Sequence, residues 1–215
     1  MSDLSISFGG ADVTRHRHIC TLFRRPEDKY RALLPFIREG LLQGDKVVMV
    51  VDPRLRDRHL AGLDIANIDV TAVLRTGQLE VRNWDTVYLQ DGHFDKDRML
   101  ALVRDVLTVC SQSYPSVRVI GNMEWVFEDG AGTMQDLLEY ESRINEIVPD
   151  FRVSGICTYD LSCFRATDIL DILRTHPVVM LDDIVQVNPY FVPPGDFLRD
   201  LGIGRDSHHP KIAET

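Results

Sequence analysis

No stretch of the sequence reaches the ~18 consecutive apolar residues that a membrane-spanning helix needs. The opening MSDLSISFGGADVTRHRH has no cationic segment followed by an apolar run. Neither a secretory leader nor a membrane association is expected, and the expected location is cytoplasmic. Cysteine is scarce and irregularly spaced, at Cys20, Cys110, Cys157 and Cys163. Without a secretion signal a disulfide framework is not expected, and free thiols are. Positive charge is in deficit: 24 Lys and Arg stand against 33 Asp and Glu, a net charge of −9. Such a surface repels a phosphate backbone unless a basic face is segregated, so direct nucleic-acid binding is not expected. The chain also lacks a GxSxG elbow, an HExxH and a CxxC, motifs that pair a nucleophile with a base or gather metal ligands. Internal repeats, low-complexity tracts and an interdomain linker are missing too.

What is present suits one sizeable α/β domain. The 215 residues are 44% hydrophobic and 27% charged, ordinary globular values. Apolar runs bounded by turn residues predict strands at His18–Phe23, Lys46–Val51, Val117–Gly121, Val153–Tyr159 and Val178–Leu181. They do not alternate with polar residues, as expected of a parallel sheet covered by helices on both faces. Between them, helical spacing predicts helices from Pro26 to Gly44, Asp95–Ser111 and Thr133–Val148, with shorter ones at Arg54–Gly62 and Arg165–Thr175. Pro35 falls inside the first, which predicts a kink or a later start. The stretch Asp64–Tyr88 breaks the alternation, with an edge strand or excursion around Gly77–Val81. The expected fold class is α/β, a mainly parallel central sheet flanked by helices. A single domain is expected over 15–203, between a flanking segment (1–14) and a polar, frayed tail (204–215).

In a P-loop enzyme, the strand-to-helix turn that opens such a fold carries glycines and a lysine that cradle phosphates. Here the turn reads HICTLFRRPEDKYRALLPFI, with neither a glycine nor a GK[ST]. The run His18–Phe23, the passage Phe36–Asp45 and the strand Val47–Asp52 resemble the opening of the MEDS sensory-domain family of methanogens and methylotrophs. Further matching passages are Gly77–Val81, Phe94-Asp95, Val117–Trp125, Ile156–Asp160 and His176-Pro177, in order from about His18 to Pro194. The resemblance implies a RecA/KaiC-like three-layer scaffold without its Walker A loop. It also implies a sensory role, with a small organic molecule as ligand and a signal passed to a regulatory protein.

Ligands of open parallel sheets bind where loops leave the carboxyl ends of strands. That places Phe23 to Arg25, Asp52, Asn122 to Trp125, Tyr159, Asp160 and Asp182 in the working site. His18 and Cys20 share a strand face. An imidazole and a soft sulfur can line a pocket or bind a metal; the plainer alternative is a small apolar cysteine beside a hydrogen-bonded histidine. Glu124 and Trp125 offer a polar hook beside a flat apolar wall, or else a solvated carboxylate and a core ring. Cys157 and Tyr159 share another strand face, with Asp160 ending the strand, and Tyr30 heads the first helix on its apolar stripe. Arg15, His16, Arg17, Arg24, Arg25 and Lys29 form a cationic patch, solvated or anion-holding. His176 is expected to end a helix ahead of Pro177, and the proline-rich Asn188–Pro194 to pack back on the domain or to form an interface. No metal or cofactor is assigned.

Three functions compete. The favoured one is a non-catalytic sensor whose small-molecule occupancy regulates a histidine kinase or transcription regulator. The alternatives are a pseudo-ATPase that docks such a partner without a small ligand, and a divergent nucleotide-binding hydrolase. A homodimer and a monomer are both open.

Overall fold

Runs that are apolar on both sides become strands buried on both sides. The computed structural model describes residues 7–8, 11–12, 17–65, 68–181 and 184–203. A short antiparallel pair, β1 (Ser7–Phe8) and β2 (Ala11–Asp12), precedes the main sheet. That sheet comprises β3 (His18–Phe23), β4 (Lys46–Val51), β5 (Leu79–Asn83), β6 (Val117–Asn122), β7 (Val153–Asp160), β8 (Val178–Leu181) and β9 (Ile184–Val187). Every residue of β3 and β4 is buried. The order is β5-β4-β6-β7-β3-β8-β9, parallel throughout except where β9 turns back on β8.

Strand alternation feeds two apolar cores. Ile19, Met49, Ile120 and Ile156 pack with α1 (Pro26–Gln43), α2 (Arg56–Ile65) and α3 (Val70–Arg75) on one face. Cys20, Val50, Cys157 and Tyr159 belong to the core of the other face. That face is covered by α5 (Lys96–Cys110), α6 (Met134–Ile147), α7 (Ala166–Arg174) and α8 (Pro194–Asp200), after the short α4 (Trp84–Val87). The expected mainly parallel, helix-flanked sheet is therefore what forms.

Local chemistry sets the helix ends. Asp95 caps α5 through the Arg98 amide, and Thr133 with Asp136 closes a reciprocal capping box on α6. Gly44 ends α1 in the left-handed conformation at φ 84°, which only glycine adopts without strain. α1 starts at Pro26 and continues through Pro35 as one helix, so the later start does not occur. The Gly77–Val81 stretch becomes edge strand β5, paired with β4. Six strands and α-helices were not anticipated: β1, β2, α3, α4, β9 and α8. The last of these begins inside the proline-rich segment and inserts a fully buried Phe197, while Tyr190 stays exposed. The tail from 204, most of segment 1–14, Arg15, His16 and Asp182 lie outside the described residues.

Candidate functional site

Parallel strands bring their carboxyl ends to one edge, and here that edge opens into a cleft of about 290 Å³. Phe23 ends β3 opposite Asp160 at the end of β7, Asn122 ends β6, and Asp52 follows β4. The first turns of α1 form the facing wall with Lys29 and Tyr30. Glu124, in the 3-10 turn after β6, completes the floor.

Lys29 is the organising charge. Its ammonium is buried and donates to Asn122 Oδ1 at 2.8 Å, over the Phe23 ring at 5.2 Å. Burial pulls its pKa from 10.5 down to about 8, against the charges of Glu124, Asp160 and Asp52. Burial also pushes the Glu124 carboxyl up, opposed by Lys29. Glu124 Oε1 accepts the Asp160 amide at 2.9 Å, so it is oriented by backbone. Asp52 caps its own 3-10 turn through the Arg54 amide, and Arg54 bridges from Asp52 to Glu128 at 2.8 Å each. Tyr30 hydroxyl meets His59 Nδ1 at 3.0 Å, and burial, followed by the Lys29 charge, lowers His59 to about 3.

A helix N-terminus facing such a cleft ordinarily attracts anions through its free amides. In α1 that device is dismantled. Pro26 has no N–H, the Asp28 amide is already bonded to the Arg25 carbonyl at 3.1 Å, and Glu27 and Asp28 add negative charge.

The charge on Lys29 has a stability signature. The unfolded chain holds this proton up to about 10.5 and the fold only to about 8. Between those values the unfolded state binds more protons, so stability rises with pH, by at most about 1.4 kcal/mol per unit. Denaturant titrations from pH 7 to 10.5 are expected to show wild type gaining on Lys29→Met above pH 8; a constant difference would mean an ordinary lysine.

A second polar cluster lies inside the α5–α8 side. His18 at the head of β3, Glu141 on α6, Cys157 in β7 and His176 after α7 are all buried. Glu141 Oε2 lies 3.0 Å from His18 Nε2, 3.3 Å from His176 Nε2 and 3.3 Å from Cys157 Sγ. Cys157 Sγ is 3.4 Å from His18 Nε2, and the two imidazole rings are 4.1 Å apart between centroids. Burial pushes the Glu141 carboxyl up, but hydrogen bonds and charge from His176 and His18 overcome it and hold the group below the usual carboxylate range. Burial, then the His176 charge, lowers His18; burial, then Glu141, raises the Cys157 thiol well above its usual range. These four atoms, two nitrogens, an oxygen and a sulfur, all lie within 4.8 Å of one another, a spacing a metal ion can occupy.

The ten sequence candidates therefore divide. Phe23, Tyr30, Asp52, Glu124 and Asp160 line the cleft. His18 and Cys157 join the buried cluster, with Cys20 paired to Cys157 in register and Tyr159 edge-on to the His176 ring at 5.8 Å. Trp125 has no exposed surface and sits in the core against Tyr88 and Phe94 at 5.1 and 4.3 Å. Lys29, read as part of a cationic surface patch, is in fact inside the cleft. Sequence reasoning passed over Glu141 and Asn145. Glu141 carried a signal, being a carboxylate on the α6 stripe with Leu137, Leu138 and Ile144.

The chain matches the family model of the MEDS domain, the methanogen/methylotroph DcmR sensory domain, over residues 17–177. It is 27% identical over 169 residues to the transcriptional repressor DcmR of Methylorubrum extorquens. That alignment covers 78% of this chain and 60% of the repressor, so the chain spans well under the repressor's full length. Among solved structures it is similar to a KaiC-like protein of Pyrococcus horikoshii OT3, with 15% identity over 76% of this chain and 69% of that one, TM-score 0.49. A second similar structure is the genome packaging NTPase of Sulfolobus turreted icosahedral virus 2, with 8% identity over 76% and 72% of the two chains, TM-score 0.41. A family match over residues 17–177, a span that includes the strands of both the cleft and the buried cluster, shows that the chain belongs to the MEDS family of sensory domains.

Proposed function

We propose that this domain senses a small organic molecule held in the cleft at the carboxyl edge of the sheet, without chemical turnover, and that occupancy regulates a partner protein. The observation that carries the reading is the buried Lys29 ammonium in the α1 wall of the cleft, beside the aromatic surfaces of Phe23, Tyr30, Trp84 and Phe127. A few placed polar groups beside aromatic surface are the usual makeup of a small-molecule site, and about 290 Å³ is at the small end of the range. A nucleoside triphosphate fits poorly: its phosphates would face Asp52, Glu124 and Asp160 and find no amide cradle. Burial also raises the pKa of Cys163, the thiol lining the cleft, away from the thiolate that nucleophilic catalysis requires. The ligand acts as a signal by binding one of two conformations more tightly than the other. The description of its relative as a transcriptional repressor supports a regulatory output.

A thermal-shift screen of small alcohols, aldehydes, carboxylic acids and halogenated hydrocarbons tests this. At least one class is expected to raise the melting temperature of the wild type. Lys29→Met, which removes a charged donor, is expected to bind that class about tenfold to a hundredfold more weakly. The reading fails if no class stabilises the protein, or if Lys29→Met binds as well as wild type.

A partner-docking surface is a second reading, favoured by edge strand β9, where Ile184 and Val187 are 66% and 65% exposed. Charge substitution at both positions is expected to abolish partner capture in a pull-down while leaving ligand-induced stabilisation intact.

A further inference from the structure

We propose that His18, Glu141, Cys157 and His176 form a closed, four-coordinate site for one divalent transition metal of the zinc type. The site is separate from the cleft, and the proposal does not depend on the cleft's function. Four segments far apart in the chain, the head of β3, α6, the middle of β7 and the turn after α7, converge on it. Four of the six distances between donor atoms are 3.0, 3.3, 3.3 and 3.4 Å, and all six are within 4.8 Å. A tetrahedral ion with metal–ligand bonds of ~2.0–2.3 Å separates its donors by roughly 3.3–3.7 Å; the four close pairs sit at or just under that spacing, and the other two, bounded at 4.8 Å, have to draw in.

Proton positions make the case stronger. Asn145 Nδ2 donates to the carbonyls of Glu141, Ser142 and Thr175 at 3.1, 3.1 and 2.8 Å, which fixes its amide orientation. Its Oδ1 therefore faces His18 Nδ1 at 3.1 Å as an acceptor, and His18 must carry its hydrogen there. His176 Nδ1 lies 2.9 Å from both the Ile172 carbonyl and the Thr175 hydroxyl; with the hydroxyl hydrogen given to the Ile172 carbonyl at 2.8 Å, both oxygens accept and Nδ1 is an N–H. In the neutral form each ring turns an Nε2 lone pair toward the Glu141 carboxylate, an arrangement that only a shared proton or a bound cation relieves. With neutral rings the cluster holds two lone pairs, one carboxylate and a thiol hydrogen, with the buried Tyr159 hydroxyl beside Glu141, in a space closed to water. Glu141 Oε1 and His176 Nε2 are buried without a hydrogen-bond partner. Protonating both rings would place two like charges at a centroid separation of 4.1 Å. One cation at the centre instead meets both Nε2 atoms, one Glu141 oxygen and Cys157 Sγ at once.

The surroundings agree. Each histidine is oriented through its remote N–H by an oxygen, from the Asn145 side chain or the Ile172 backbone, which is how metal-bound imidazoles are commonly held. Two imidazoles, a carboxylate and a thiolate suit zinc, cobalt or iron(II) rather than magnesium or calcium. Binding displaces one proton: the Cys157 S–H bond breaks, a sulfur–metal bond forms, and the proton leaves to solvent. Two anionic ligands, two neutral ones and a divalent ion sum to zero charge, the total that full burial favours. With four protein ligands and no open position, the site is structural: it pins β3 and β7 to α6 and the end of α7.

The experiment is elemental analysis of untagged protein, followed by exchange of the bound metal for cobalt(II). Close to one metal per chain is expected. The cobalt form should show the visible bands of a tetrahedral ion together with a thiolate-to-cobalt band in the near ultraviolet. Cys157→Ser should lose the thiolate band, and His176→Ala should weaken binding at least a hundredfold in competition with a chromophoric chelator. Far-ultraviolet circular dichroism checks that each variant folds, and if a variant does not, the wild-type stoichiometry and spectrum decide. Metal-free protein that is folded and shows no cobalt bands overturns the proposal. So does a cobalt spectrum without the thiolate band, which would mean surface binding only.

Discussion

Arg118→Met is expected to lower the unfolding free energy by about 3–5 kcal/mol, because it removes one partner of a fully buried ionic network. The guanidinium on β6 has no exposed surface; it donates to Asp45 Oδ2 at 2.8 Å, to the Phe36 carbonyl at 2.7 Å, to Glu39 at 3.0 Å and to Gln43 at 2.9 Å. It binds the last turns of α1 to the sheet, and without it the Asp45 carboxylate stays buried beside a void. Room for it comes from Gly40, where a Cβ would lie 2.5 Å from both Arg118 Cδ and Nε. In an open helix position Gly→Ala gains up to about 1 kcal/mol. Here Gly40→Ala should destabilise wild type and stabilise the Arg118→Ala background. A double-mutant cycle by urea unfolding reads that reversal of sign, and additivity within about 0.5 kcal/mol would refute the account.

Trp125→Ala should cost about 3–5 kcal/mol, the usual range for a fully buried aromatic. The ring has no exposed surface, stacks on Tyr88 at 5.1 Å and tilts against Phe94 at 4.3 Å, with Tyr140 edge-on to both of those rings. Trp125→Phe should keep more than half of the lost stability, since much of the apolar area remains. Were Trp125 a ligand wall instead, the alanine variant would melt close to wild type. Because Glu124 precedes it in the same 3-10 turn, the alanine variant is also expected to weaken cleft binding, but indirectly, through loss of orientation.

Trp125 also shows where sequence reasoning stops. Its place at the carboxyl end of β6 was legible, and with it the fact that Glu124 would stand at the site. Which of the two adjacent side chains faced the cleft depended on how the 3-10 turn coils after the strand, and no spacing rule fixes that. Phe23, Asp52 and Asp160 were legible for a simpler reason: a parallel sheet aligns strand ends. Lys29 was misplaced because a lysine beside Arg24 and Arg25 looks solvated until α1 is docked on the sheet edge. Glu141 could be suspected as a charge on an apolar helix face, but its partners lie 123 residues before it, at His18, and 35 after it, at His176.

The inner strands and the long helices were readable from the chain, because apolar runs and helical spacing are local, and with them came the mainly parallel sheet and its carboxyl edge. The loss of the phosphate cradle was readable too, since Pro26, Glu27 and Asp28 replace the residues that a cradle needs. How the chemistry is shared between cleft and buried cluster follows from packing. Docking α1 turned Lys29 inward, and packing α6 and the end of α7 against β3 and β7 gathered two histidines, a carboxylate and a thiol into one dry space. Such convergence depends on the crossing of non-adjacent elements, so it appears in no window of the sequence.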